Sequence, residues 1–222
     1  MVAQELLDAI AAYTQAVQRG EVDCTLESCP ACGRPGPFQS NASRRRTFRV
    51  IIDRYARPVD SALTRWKCPS CMTSFTQYPD FALPYKHYVR QDICALSERY
   101  LSNDSLSYRQ AVQVHTQGVY YATDEPDKVD ERRLWPSTLH RWIGFLGGLK
   151  DTLAHAWQLI RAKSPTCAIF RQIVAVAPAK HRSPERKDLL QRCLRLLRAD
   201  AQYRQLFRAG IFPYLAMACG FR

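Results

Sequence analysis

Residues 65–85 read RWKCPSCMTSFTQYPDFALPY, and the two cysteines in this stretch, Cys68 and Cys71, flank a Pro-Ser pair. A disulfide, a thioredoxin-like redox pair and a metal-binding knuckle all use cysteines at this spacing. The chain carries nine cysteines, an odd number that cannot all pair. Residues 1–23 lack the basic start and unbroken apolar core of a secretory signal, so we expect a reducing compartment, where disulfides are rare.

A second motif of the same type favours a metal site. Cys29 and Cys32 form CPACG, and two such turns can direct four thiolates at one tetrahedral zinc ion. Gly33 stands where a knuckle often needs a positive φ. A redox pair would need a single C-x-x-C in a βαβ setting, which we do not find. We therefore predict Zn²⁺ bound by Cys29, Cys32, Cys68 and Cys71, with Cys24 or His87 as possible substitutes for one ligand.

The segment between the two cysteine pairs predicts a long hairpin. It has 35 residues, more than the roughly 15–20 of an ordinary zinc-site linker. Residues 47–55 (TFRVIIDRY) and 62–68 (ALTRWKC) both favour strands, joined by a turn at 56–61 (ARPVDS). A hairpin of this kind would bring the two knuckles together as a zinc ribbon with an extended arm.

The charge balance predicts a polyanionic partner. Lys and Arg number 32 against 20 Asp and Glu, which gives a net charge of +12. The arm contains the run SNASRRRTF, and we predict that Arg44, Arg45, Arg46 and Arg49 contact the phosphates of double-stranded DNA. A solvated basic loop is the alternative. No window approaches the roughly 18 apolar residues of a membrane span, so we expect a cytoplasmic protein without membrane contact.

The middle of the chain has helical periodicity. Residues 86–101 predict one helix, and Ser107 is placed to cap a short helix ending near Gly118. PSTLHRWIGFLGGL then predicts a helix capped by Ser137, with buried residues Leu139, Trp142, Ile143 and Leu146. A short helix followed by a capped helix indicates a helix-turn-helix-like unit. The connection of about eighteen residues is longer than the usual 3–4, and a generic helical bundle is the alternative.

The order of these motifs resembles a known family. CPACG, RWKCPSCMTSFTQYPDFALPYKHY, LSYRQAV and STLHRWIGFL, spread over residues 24–150, resemble the N-terminal region of bacterial insertion-sequence transposases. The resemblance implies that the four knuckle cysteines bind zinc and that Ser137, Thr138, His140 and Arg141 face DNA. Such transposases continue into an RNase H-like domain with three metal-binding carboxylates. Residues 151–222 instead predict successive helices with few acidic residues, so we expect no catalytic activity.

These observations predict an α+β fold in which a small antiparallel zinc ribbon precedes a mainly α-helical region with a helix-turn-helix-like unit. The predicted segments are an N-terminal helix (1–23), the ribbon (24–84), the helix-turn-helix-like region (85–150) and a helical C-terminal module (151–222). The predicted function is that of a zinc-dependent DNA-binding factor of a bacterial mobile element, with a transposase or recombinase as a candidate partner. The alternatives are an adaptor that binds a transposase or polymerase and a metal-dependent nuclease, which a closed four-thiolate site disfavours.

Overall fold

The computed structural model describes residues 3–122 and 132–212, which form two compact units. The sheet unit comprises residues 3–52, 57–90 and 212, and the helical unit comprises 53–56, 91–122 and 132–211. The described residues form a mixed α/β fold with antiparallel strands and six α-helices. This confirms the predicted class at that level, whereas the four predicted segment boundaries stay a prediction.

The sheet unit packs one helix on a β-sheet. Its elements are α1 (Ala3–Arg19), β1 (Gln39–Ile52), β2 (Tyr55–Lys67) and β3 (Ser74–Thr76). The strands are neighbours in the order β1-β2-β3, and β3 runs antiparallel to β2 with Phe75 opposite Trp66. Leu6 and Ile10 lie one helical turn apart on α1, and both enter the core. The other buried members of this core are Phe48, Val50, Leu63, Phe81, Ala82 and Val89.

The chain reverses between β1 and β2 at residues 53–54, so the predicted turn at 56–61 is wrong. Asp53 has a φ of 57°, a left-handed conformation that Asp tolerates better than most residues. Pro58 and Asp60 suggested a turn by their local preferences. They are exposed positions of β2 that alternate with the inward-facing Val59 and Ser61, and this burial outweighs the local preference.

The helical unit is built around one long helix. Its elements are α2 (Arg90–Ser102), α3 (Tyr108–Ala111), β4 (Gln113–Val114), β5 (Gln117–Gly118), β6 (Tyr120–Tyr121), α4 (Pro136–Gly148), α5 (Lys150–Lys163) and α6 (Pro184–Phe207). Both α4 and α5 pack against α6. At Gly147 the backbones come so close that a Cβ would lie 2.4 Å from the Leu189 carbonyl oxygen. Only glycine fits there, and Arg192 Nε donates to the Gly147 carbonyl at 2.9 Å.

The predicted cap at Ser107 is confirmed, but the length of its helix is wrong. Ser107 and Gln110 form a reciprocal capping box. The helix then ends at Ala111 after one turn, and residues 113–118 form the hairpin β4–β5. Strand β6 pairs in parallel with the first two residues of β2, and Tyr120 lies opposite Tyr55.

The helix α4 begins two residues earlier than predicted. Trp135 is at its N-cap position and Pro136 at the first helical position, where the missing proline N–H costs nothing. No side chain caps the helix, so the predicted cap at Ser137 is wrong. The predicted buried stripe of Leu139, Trp142, Ile143 and Leu146 is confirmed.

The C-terminal region is less helical than predicted. Ser183 caps α6, accepting from the Arg186 N–H at 3.2 Å. Residues 166–177 were predicted as helix, but they contain one 3₁₀ turn at Ala168–Arg171 followed by extended chain rich in β-branched residues. The predicted helix after residue 210 and much of the 118–136 connection lie outside the described residues. No helix within the described ranges is both long and apolar enough to cross a membrane.

Candidate metal centre

The first cysteine motif forms a tight turn closed by backbone hydrogen bonds. The Gly33 N–H donates to the Cys29 carbonyl at 2.8 Å, and the Cys29 N–H donates to the Arg34 carbonyl at 2.8 Å. Gly33 has a φ of 71°, the positive value that the motif predicts. Inside the turn the Ala31 N–H donates to the Cys29 sulfur at 3.4 Å.

The second motif repeats this geometry. The Met72 N–H donates to the Cys68 carbonyl at 2.9 Å, and the Cys68 N–H donates to the Thr73 carbonyl at 3.0 Å. Met72 occupies the place of the glycine and has a φ of 62°. Two separate segments of the sheet unit therefore fold into the same knuckle.

The two knuckles bring their four sulfurs together at the spacing of a tetrahedral site. The sulfurs of Cys29 and Cys71 are 3.7 Å apart, and those of Cys32 and Cys68 are 3.8 Å apart. A tetrahedron of thiolates about 2.3 Å from a zinc ion has edges of about 3.8 Å. All four sulfurs lie within 4.8 Å of one another. The cluster can therefore hold a metal ion, and its donor chemistry fits a soft, tetrahedral cation.

The sulfurs differ in how readily they ionise. Hydrogen bonds from the Thr73 hydroxyl and backbone N–H lower the pKa of Cys71 to about 6. The pKa of Cys68 is also lowered, chiefly by the Cys71 backbone N–H. At Cys32 the Arg34 N–H lowers the pKa, but desolvation and the three neighbouring sulfurs outweigh it and raise the value to about 11. Full ionisation of the set therefore calls for a cation at its centre.

The surroundings of the cluster close it on one side. Cys29 and Cys68 are buried, whereas Cys32 and Cys71 are exposed. The Phe38 and Phe75 rings meet edge to face with their centroids 5.1 Å apart. Neither of the possible substitutes, Cys24 and His87, belongs to the group of sulfurs that can hold a metal. Thr73 was missed by the sequence reasoning, although its place two residues after Cys71 marks it as a donor.

The predicted phosphate-binding arginines divide into two pairs. Arg44 and Arg45 are exposed on β1, while Arg46 and Arg49 are half-buried. Arg46 donates to the Lys86 carbonyl at 3.0 Å and lies over the Phe48 ring. These contacts draw Arg46 towards the protein, so Arg44 and Arg45 are the pair most accessible to a ligand. We call residues 40–49 the arginine arm.

The structure separates the four predicted DNA-facing residues of α4. Ser137, His140 and Arg141 are exposed and Thr138 is half-buried. Arg141 Nη2 donates to Thr138 Oγ1 at 3.4 Å. The His140 ring instead lies 5.5 Å from that of Tyr108, edge to face. Burial and the nearby Arg186 charge lower the His140 pKa, so this imidazole is neutral near pH 7.

One family matches the chain, and its description is "Domain of unknown function (DUF6431)". The match covers residues 29–116, from the first cysteine of the first knuckle to the β4–β5 hairpin. It therefore includes all four cysteines and the arginine arm, but neither α4 nor α6. No curated protein and no solved structure matches the chain.

Proposed function

We propose that this chain is a zinc-dependent DNA-binding protein that serves a bacterial mobile genetic element as a targeting, accessory or regulatory factor. The observation that carries the proposal lies within the sheet unit. There a four-sulfur cluster and an exposed pair of arginines, Arg44 and Arg45, belong to one hairpin and its flanking turns.

Zinc is the proposed metal because four cysteine sulfurs at tetrahedral spacing suit it. Iron can also occupy such a site, and metal analysis distinguishes the two. A site closed by four thiolates leaves no open position for water or substrate. We therefore assign the metal a structural role and propose no catalytic activity.

DNA is the proposed ligand because of charge and placement. The net charge of +12 favours a polyanion, and duplex DNA presents one phosphate per about 1.7 Å of helix axis. Arg44 and Arg45 extend from β1, which other contacts hold in place. The Thr47 hydroxyl donates to Asp60 at 2.7 Å, and the Asn41 amide donates to the Ser74 hydroxyl at 3.0 Å. Arginines on a supported strand lose less conformational entropy on binding than those on a free loop.

The second part of the proposal concerns α4. In a helix-turn-helix-like unit, α3 would be the first helix and α4 the reader, and α3 packs against α4. Ser137, His140 and Arg141 are exposed residues of α4 available for this role. Arg141 suits a guanine edge, and loss of one such contact costs about 1–3 kcal/mol of discrimination. A double variant of His140 and Arg141 with an unchanged preferred sequence would make α4 a scaffold rather than a reader.

Salt titration of DNA binding tests the main proposal. If about six phosphates are neutralised, the logarithm of the binding constant should fall with that of salt concentration with a slope of roughly −5. Replacing Arg44, Arg45 and Arg46 with Ala should flatten this slope. The matched control replaces Lys150, Lys163 and Arg195, exposed residues of α5 and α6, and removes the same charge outside the arm.

If the two triple variants flatten the salt slope equally, DNA binding depends on net charge and not on the arginine arm. If no duplex binds, the ribbon is better explained as an adaptor for a transposase or polymerase. The mobile-element part of the proposal rests on the resemblance of the motif order. It predicts a transposase or recombinase gene beside this one, and genes of an unrelated pathway there would count against it.

A further inference from the structure

A basic cavity of about 660 Å³, open to solvent, is lined by residues of the helical unit. The end of α2, the loop 104–107, α3, α4 and the start of α6 form its walls. This volume is within the range of about 300–1,000 Å³ typical of small-molecule sites. None of the residues predicted from the sequence to bind a ligand accounts for it, except His140 at its rim.

The lining of the cavity is cationic. It contains Lys180, Arg182 and Arg186, with Asp104 as its one carboxylate. These three cations and one carboxylate give the walls a formal net charge of +2. Among the described residues, none of the three cations has a carboxylate oxygen within ion-pair distance. A cavity of this charge lacks a counter-ion.

Lys180 is the strongest sign that a ligand completes the site. It is buried, with 9% of its surface exposed. Its Nζ donates to the Tyr100 and Leu106 carbonyls at 2.6 and 3.0 Å and lies over the Tyr100 ring. Carbonyls and a ring face stabilise an ammonium only in part, and burial of an unpaired charge is costly.

Three further polar residues, Arg186, His181 and Ser183, line the cavity. Arg186 lies in the first turn of α6 and donates through Nη2 to the Tyr108 hydroxyl, which leaves further N–H groups of its guanidinium. The Nε2 atom of His181 is buried and meets no hydrogen-bond partner among the described residues. Ser183 lies at the N-terminus of this 24-residue helix, where the helix dipole favours an anion. Glu185 already interacts with this helix N-terminus, since hydrogen bonds from the Ser183 hydroxyl and from its own backbone N–H lower its pKa.

We propose that this cavity binds a phosphate monoester. A phosphate monoester dianion carries the charge of −2 that the walls lack, and its oxygens suit the planar donors of Arg182 and Arg186. A carboxylate would supply only half of that charge. Either a free nucleotide or the 5′-phosphate at a DNA end presents this group, and the volume accommodates the attached sugar.

The experiment measures binding calorimetrically on the full, metal-loaded chain. The probes are inorganic phosphate, thymidine 5′-monophosphate, and one oligonucleotide with either a 5′-phosphate or a 5′-hydroxyl. We expect Arg182→Gln and Arg186→Gln each to weaken phosphate binding by about ten-fold, the effect of losing a charge-assisted hydrogen bond. Lys187→Gln is the matched control because Lys187 is exposed on α6 and outside the cavity.

The four probes also separate the two sources of phosphate. If the 5′-phosphorylated oligonucleotide binds more tightly than both its 5′-hydroxyl form and thymidine 5′-monophosphate, the cavity recognises DNA ends. If thymidine 5′-monophosphate binds more tightly than the 5′-phosphorylated oligonucleotide, the cavity recognises free nucleotides. Thermal unfolding of each variant is measured alongside, because Arg186→Gln removes a contact with Tyr108. If Arg186→Gln does not fold, the variant of the exposed Arg182 still tests the proposal.

The proposal is overturned if no phosphate probe binds, or if both variants bind phosphate as tightly as Lys187→Gln does. Loss of duplex binding by the arginine-arm variant would leave this result unchanged, so the two proposals fail separately.

Discussion

The two knuckles of the sheet unit share one backbone geometry and differ in what supports it. In both, the N–H that follows the second cysteine donates to the carbonyl of the first, at 2.8 and 2.9 Å. The second knuckle joins two paired strands, β2 and β3, whereas the first is flanked by an isolated bridge between Ser28 and Pro35. The same turn forms in both settings, so the C-P-x-C motif itself determines the turn.

The knuckles also differ in the groups that stabilise a thiolate. Thr73 provides a hydroxyl and a backbone N–H to the Cys71 sulfur. The equivalent residue of the first knuckle, Arg34, provides only its backbone N–H to Cys32. The pKa of Cys71 is lowered while that of Cys32 is raised, which makes the second knuckle the better thiolate donor at neutral pH.

The largest expected effect comes from removing a ligand of the better-supported knuckle. Cys68→Ser should abolish metal binding and unfold the ribbon, since four-cysteine zinc sites contribute about 10–16 kcal/mol in small peptides. Cys68 is fully buried, so its loss also disturbs the end of β2. Elemental analysis should find one zinc per wild-type chain and none in the variant.

Cys24→Ser is the control for that experiment, because Cys24 precedes the first knuckle and lies outside the sulfur cluster. It should keep its metal and its unfolding temperature. Stoichiometric zinc in Cys68→Ser, or none in the wild type, would contradict the assignment of the four ligands.

The knuckles could be predicted from the sequence because their geometry is local. Each turn is determined by the four residues of a C-P-x-C motif and by the positive φ of the residue that follows them. Two such motifs together predict the four-sulfur metal site. The reversal at residues 53–54 could not be predicted in this way. Pro58 and Asp60 have turn preferences, and only the packing of Val59 on the core shows that this segment is a strand.

The helical unit shows the same division. The cap at Ser107 depends on a neighbour in sequence, Gln110, and it was predicted correctly. The basic cavity depends on Lys180 meeting carbonyls 74 and 80 residues earlier in the chain. No periodicity or motif encodes these contacts, so the sequence does not reveal that Lys180 is buried.

Thr73 offers the next test, because it is the side chain that distinguishes the knuckles. Thr73→Val keeps the shape and removes the hydroxyl, which should raise the Cys71 pKa and weaken metal affinity by about ten-fold, the lower range for an outer-shell partner. Competition with a chromogenic chelator at pH 7 measures this. Thr73→Ser retains a hydroxyl and should bind almost as the wild type does, whereas equal loss in both variants would indicate a packing role.

Gly33→Ala should have a smaller effect on the first knuckle. A Cβ at Gly33 would meet nothing within 4 Å, so the cost is confined to the backbone at a φ of 71°. That conformation costs a non-glycine residue about 1 kcal/mol, and chemical denaturation of the metal-loaded protein should show a loss of this size. Gly144→Ala is the control, since Gly144 also has open space but lies within α4 with helical φ; it should be neutral or stabilising.

The reverse exchange in the second knuckle should have the smallest effect and the opposite sign. Met72 already occupies the left-handed conformation, with a φ of 62° and 60% of its surface exposed. Met72→Gly relieves about 1 kcal/mol of backbone strain but gives the unfolded chain more freedom, so the net gain should be about 0.5 kcal/mol. Met72→Ala keeps the strain and should leave stability nearly unchanged. If Met72→Gly instead destabilises the protein as much as Gly33→Ala does, contacts of the Met72 side chain stabilise its knuckle by more than the backbone strain costs. In that case the two turns share only their backbone geometry.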